Sequence, residues 1–198
     1  MLNNRHNLIK IIPQQTFKKI PWKNGKGVTL ELAINNQATL SNFDWRLSIA
    51  TVDSNGEFSD FEGYTRNLVL IDGNGVVLSH NKNQIDRLEN ILDFSTFDGK
   101  DKTIAKLISG PITDFNLMTR MKDFAGSVET FCGSHKVSLK NSQLCFIYGL
   151  NRKLDIVSKQ DQTTENMAAG DLIQISNDGQ SDIVVTGQDF IVVYIDKR

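Results

Sequence analysis

The sequence predicts an all-β fold, and three observations carry the prediction. Short apolar runs rich in Val, Ile and Phe recur between clusters of Gly, Asn and Asp, the pattern of strands separated by turns. Helical periodicity is nearly absent, with only 83–92 (NQIDRLENIL) reading faintly as a helix. The layout of the first half also returns in the second. Taken in order, 28–34 (VTLELAI) and 45–52 (WRLSIATV) alternate with period two, and 67–71 and 75–79 flank the turn Gly73-Asn74-Gly75. Further strands are expected at 103–108, 115–120, 127–131, 136–139, 144–149 and 154–157. The turn Gly170-Asp171 then leads into 171–175, and 182–186 and 190–195 close the chain.

Thirteen strands are too many for one simple sandwich. NLVLIDGNGVVLS (67–79) is an apolar run, a Gly/Asn turn and a second apolar run, and QLCFIYGLNRKLDIVS (143–158) repeats it. Both read as hairpins. With no Pro- or Ser-rich linker between the halves, two β-sandwich or jelly-roll units are expected, 1–125 and 126–198, packed as one compact domain.

Composition narrows the function. A chain of 198 residues can bury a core without disulfides or metals. Lys and Arg number 22 against 23 Asp and Glu, a net charge of −1, so the basic surface of a nucleic-acid binder is missing and no nucleic-acid partner is expected. No window is apolar enough to span a membrane, and the amino-terminal stretch is broken by Asn, Arg, His and Lys, unlike a secretory signal. Cys132 and Cys145 show no CxxC spacing and are expected as buried free thiols in a reducing compartment, hence a cytoplasmic location.

Catalytic motifs are few. His6, His80 and His135 stand apart with no HxH; they read as surface or loop histidines, and no metal or cofactor is expected. There is no GxSxG elbow. PWKNGKG (21–27) lacks the spacing of a phosphate loop and precedes a strand rather than a helix. More telling is alternation: in DWRLSIA, Asp44, Arg46, Ser48 and Ala50 share one strand face, and in DFNLMTR, Asp114, Asn116, Met118 and Arg120 do the same. Such faces are either solvated outer surfaces or the lining of a small-ligand cavity in which arginines fix a carboxylate.

Four ordered blocks, PWKNGKGVTLE (21–31), FDWRLSIATV (43–52), GEFSDFEGYTRNLVLIDGNGVVL (56–78) and FDGKDKTIAKLISGPITDFNLMTR (97–120), resemble the HutD/Ves family, known from bacterial histidine-utilisation operons and from a stress-associated relative. The resemblance covers roughly residues 10–125 in specific motifs and continues beyond as a β pattern. It implies a cupin-like (RmlC-like) double-stranded β-helix or jelly roll of bicupin type. It further implies a non-catalytic regulatory protein binding a small carboxylate metabolite of histidine breakdown, such as formylglutamate or urocanate. Carried over by position, the ligand-binding candidates are Trp22, Lys23, Asn24, Thr29, Arg46, Ser48, Ser59, Phe61, Arg66, Asp114, Asn116 and Arg120. Arg and Lys would pair with carboxylates, Asn and Ser would hydrogen-bond an amide, and Trp22 or Phe61 would cover apolar surface. Leu30 and Glu62 depart from the family pattern, removing one anion contact and adding a negative charge.

Two other readings compete. One is a metal-free isomerase or hydrolase on a small carboxylate, with Asp114 or Glu31 as general base. The other is a protein-interaction scaffold, since cupin-like folds host unrelated functions. Edge strands leave a homodimer open.

Overall fold

The computed structural model describes residues 9–21, 28–81, 83–159, 162–176 and 183–198. Among them are seventeen strands and one 3-10 turn at Gln14–Thr16, so the alternating runs do form an all-β chain. Contacts divide it into two compact units, one of Phe17–Ser127 with Lys197–Arg198 and one joining the segment up to Thr16 with Val128–Asp196. The amino-terminal strand therefore leaves the unit to which the sequence reading gave it. Strand β1 (Ile9–Ile12) pairs with β16 (Leu172–Ser176), Ile9 opposite Ile175, a partner too distant for any local pattern to reveal.

The 17–127 unit holds two antiparallel sheets. One runs β2 (Lys18–Pro21), β3 (Val28–Ile34), β4 (Trp45–Val52), β11 (Ile112–Arg120), β6 (Tyr64–Gly73), β9 (Phe94–Asp98). The other runs β5 (Gly56–Glu57), β10 (Thr103–Leu107), β7 (Val76–His80), β8 (Gln84–Leu88). Val52, Leu68, Leu70, Phe97 and Ile112 of the first pack against Val76, Leu78, Leu88 and Ala105 of the second. Each fully enclosed Leu or Val contributes about 1.5–3 kcal/mol.

Two expectations from local pattern are corrected. Within the stretch 83–92, Gln84–Leu88 is strand β8 rather than helix: Ile85 lies opposite Ser79 and Leu88 opposite Val76, so it alternates an exposed Ile85 with a buried Leu88. The run 67–79 is also not a hairpin, because β6 pairs with β9 and β11 whereas β7 pairs with β8 and β10. Gly73 (φ 99°) and Gly75 (φ 105°) instead carry the chain around a corner from one sheet to the other. A Cβ on Gly73 would stand 2.5 Å from the Pro111 carbonyl oxygen, and only glycine takes that φ without strain.

In the 128–196 unit, a sheet runs β1, β16, β13 (Leu144–Gly149), β17 (Ile183–Lys197), β14 (Leu154–Ser158), β15 (Thr163–Met167), and β12 (Phe124–Ser138) also pairs with β17. The expected strands at 127–131 and 136–139 merge into β12, and those at 182–186 and 190–195 merge into β17. The 143–158 run is a second corner, since β13 and β14 each pair with β17 but not with one another. The repeat is therefore one of topology. Pairings β6·β9, β6·β11, β7·β8 and β7·β10 recur as β13·β16, β13 with the far half of β17, β14·β15 and β14 with its near half.

The two interiors differ chemically. That of the 128–196 unit is apolar, formed by Leu154, Ile156, Met167, Ile173, Ile183, Phe190 and their neighbours. The buried Glu31, Arg46, Ser48, Arg66, Asp114 and Asn116 belong to the other unit, whereas the buried Ser142, Ser158 and Asp171 of the 128–196 unit stand outside its apolar cluster.

Candidate functional site

Strand register collects the chemistry. Thr29 lies opposite Ala50, Ala50 opposite Asp114 and Asp114 opposite Leu70, so these four form one row across the sheet. Glu31, Ser48, Asn116 and Leu68 form the next, and Arg46, Met118, Arg66 and Phe97 the third. Directly opposed residues point to the same face. Leu68, Leu70 and Phe97 pack between the two sheets, so the polar residues of these rows share that interior face. The solvated-face alternative is thus excluded: Arg46 is 6% exposed, Asp114 2% and Asn116 6%.

In this polar interior between the two sheets, termed the chamber, the charges are few and close. Arg46 Nε donates to Glu31 Oε2 at 2.9 Å, a buried pair. Arg66 lies among three rings, its guanidinium carbon 5.2 Å from the Phe58 centroid, 5.5 Å from Phe61 and 5.0 Å from Phe97. Such cation–π packing holds a guanidinium while stripping its water. One terminal nitrogen donates to the Ser59 carbonyl at 3.4 Å, whereas its buried Nε has no hydrogen-bond partner. Burial lowers the Arg66 pKa to about 10, with Asp114 opposing. Burial pushes Asp114 up to about 7, against the pull of the Asn116 amide, the Arg66 charge and the Ala50 backbone. Asn116 Nδ2 donates to Asp114 Oδ1, while the Asn116 Oδ1 acceptor is buried without a partner.

The wall formed by the four-stranded sheet adds a polar cluster that sequence reasoning missed. His80, expected at the surface, is 1% exposed. Its Nδ1 meets Thr103 Oγ1 at 2.9 Å and its Nε2 stands 3.3 Å from Asp86 Oδ2, which Ser95 Oγ also reaches. The ring stacks on Phe97 at 4.6 Å. Residue spacing could not have exposed this cluster, because its members lie on four different strands. Glu31, offered by the sequence only as an alternative general base, shares the face of Thr29 through the alternation in VTLE.

Of the predicted ligand residues, Thr29, Arg46, Ser48, Arg66, Asp114 and Asn116 share this face, Phe61 covers Arg66, and the exposed Ser59 lends Arg66 a carbonyl. Arg120 turns elsewhere. Its guanidinium binds Asn42 Oδ1 at 2.6 Å and the Phe43 carbonyl at 2.7 Å, stands 3.4 Å from Asp44 and covers Tyr64. That arrangement braces a loop whose Phe43 carbonyl also accepts from the Tyr64 hydroxyl. Trp22, Lys23 and Asn24 lie outside the described residues. The two cysteines are free, with Cys145 buried but Cys132 exposed, contrary to expectation.

Two absences complete the inventory. Among the described residues no three His, Cys, Asp or Glu side chains are grouped to hold a metal ion, and no helix is long and apolar enough to cross a membrane. An open groove in the 128–196 unit, lined by Ser134, His135, Lys136, Thr186, Gly187 and Gln188, contains none of the buried charged side chains, so the chamber is the stronger candidate.

Two jelly-roll-like units, one lined with buried polar groups, define a protein of the cupin-like all-β class. A cupin conserved-barrel protein from Leptotrichia buccalis superposes with a TM-score of 0.54 over 90% of this chain and 92% of its own at 10% identity, a likeness of fold alone. Within that class the chain belongs to the HutD family, whose model matches residues 14–193. It is similar to HutD from Pseudomonas fluorescens SBW25, with a TM-score of 0.80 and 26% identity over 96% of this chain and 99% of that one. It is 33% identical over 129 residues to an uncharacterised 21.2 kDa protein of the hutC 3' region of Pseudomonas putida, 65% of this chain and 67% of that protein. Protein Ves of Escherichia fergusonii is 36% identical over 108 residues, 52% of this chain and just 56% of Ves.

Proposed function

We propose that this chain is a cytoplasmic, non-catalytic regulatory protein of the HutD/Ves type that binds a small carboxylate metabolite in the chamber of its 17–127 unit. One observation carries the reading: Arg66 is buried with an unpartnered Nε donor, beside the unpartnered Asn116 Oδ1 acceptor. A buried polar atom without a partner costs about 1–3 kcal/mol, and a ligand offering both an anion and an N–H group would satisfy both atoms. Formylglutamate and urocanate have that chemistry, and the relative from the hutC 3' region favours histidine breakdown as the setting. Millimolar to micromolar binding requires about 4–8 kcal/mol, within reach of a few charge-assisted hydrogen bonds.

Thermal-shift measurements against a carboxylate panel test this. Formylglutamate or urocanate should raise the melting temperature of the native protein and of Arg120→Ala, but not of Arg66→Ala. No shift with any carboxylate at millimolar concentration would sink the proposal. A second reading draws on Asp114, whose pKa of about 7 suits a general base. Product analysis decides between them: turnover abolished by Asp114→Asn would make the protein an enzyme.

A further inference from the structure

The chamber's charges nearly all have partners. Glu31 of β3 is held by Arg46 of β4 at 2.9 Å, and Asp86 of β8 accepts from Ser95 Oγ, with His80 Nε2, itself without a hydrogen-bond partner, 3.3 Å away. Strands β9 and β10 bring Ser95, Phe97, Thr103, Ala105 and Leu107 to this side, none of them charged. Lys18 of β2 shares the face of Glu31 at the exposed edge. Among the described residues, that leaves Arg66 of β6 as the one cation acting on Asp114 of β11.

A ligand carboxylate that takes the Arg66 Nε hydrogen therefore offsets the positive charge that favours the ionised form of Asp114. Two carboxylates would then face one available guanidinium, and an unpaired buried charge costs several kcal/mol. Protonating Asp114 removes that cost. The new O–H also has an acceptor at hand, because the Asn116 amide already touches Asp114 Oδ1 and its own Oδ1 lacks a partner. Turning the amide over presents that oxygen to Asp114 and its NH2 group to the ligand, whose amide or formyl oxygen or ring nitrogen then accepts there in place of the ligand N–H donating.

We propose that the chamber binds a carboxylate monoanion together with one proton, which resides on Asp114. The ligand thus enters as the equivalent of its neutral acid, an O–H bond forming on Asp114 with a proton from solvent and no bond in the ligand breaking. The inference rests on the carboxylate reading above and adds the charge type: one carboxylate inside the chamber, any second one outside it. Burial of Asp114, which pushes its pKa to about 7, sets the coupling between pH 6 and 9.

Isothermal titration calorimetry in buffers of different ionisation enthalpy reads the proton directly. The probes are N-acetylglycine and N-formylglutamate, neither of which titrates between pH 5.5 and 9, and urocanate. Linkage predicts uptake of about one proton per bound ligand at pH 8.5, close to none at pH 5.5, and a Kd that rises about 25-fold from pH 6.5 to 8.5. In Asp114→Asn both the uptake and the pH dependence should vanish. The wild-type buffer dependence decides the matter even should that variant fail to fold. Binding without proton uptake at pH 8.5 and with a constant Kd overturns the coupling while leaving the carboxylate site standing. Absence of binding by all three probes at every pH overturns both.

Discussion

Replacing Asp114 by Asn should make the protein more stable relative to wild type as pH rises, by an amount the structure sets. The ordinary carboxyl value of 3.8 is raised to about 7 by burial. At about 1.4 kcal/mol per decade this costs the folded state about 4 kcal/mol once the group is ionised in both states. The unfolded chain loses this proton near pH 4 while the folded protein keeps it to about 7. Stability from this group is therefore full below pH 4, falls between 4 and 7 and is flat above about 8. Some 1.5 kcal/mol is already lost at pH 5, leaving about 2.5–3 kcal/mol between pH 5 and 9. Asn keeps the volume and stays neutral throughout. Urea unfolding followed by tryptophan fluorescence, run on both proteins at pH 5, 7 and 9, gives the difference directly, because the other titrating groups are common to both. A difference that stays constant across the range would show that the folded protein holds Asp114 ionised as easily as water does, and would refute the reasoning.

Two other outcomes are expected. Arg120→Ala should destabilise the fold by about 2 kcal/mol, since it removes charge-assisted hydrogen bonds to Asn42 and the Phe43 carbonyl, while leaving ligand affinity within twofold; chemical denaturation and a binding titration on the same variant check both halves. A thiol reagent should modify the exposed Cys132 in the native protein within minutes and reach Cys145 only on unfolding, because burial pushes the Cys145 thiol above its usual range. Peptide mapping of the labelled protein would reveal the reverse order.

How far local pattern reached is clearest at particular residues. Alternation placed Arg46 with Ser48 and Asp114 with Asn116, and antiparallel register joined the two sets, Ser48 opposite Asn116. The same alternation put Arg120 on that face, yet its side chain leaves at the end of β11 to grip the Asn42–Asp44 loop, a partner 78 residues away. Residues 83–92 misled because Ile85, Leu88 and Leu92 mimic a helical stripe, whereas pairing with β7 fixes an extended chain.

What the sequence determined by itself was an all-β chain with a repeated strand–turn–strand layout, because period-two alternation and turn residues are local properties of the chain, while its four ordered blocks carried the resemblance to HutD/Ves. The tertiary structure decided the rest. Which face of the DWRLSIA and DFNLMTR strands lies inside depends on the opposing sheet of Val76, Leu78 and Ala105. Which charges remain available depends on distances between strands far apart in sequence, with Glu31 claiming Arg46 and the rings of Phe58, Phe61 and Phe97 enclosing Arg66. Burial is collective, and the Asp114 carboxyl takes its character from a chamber that no single strand encodes.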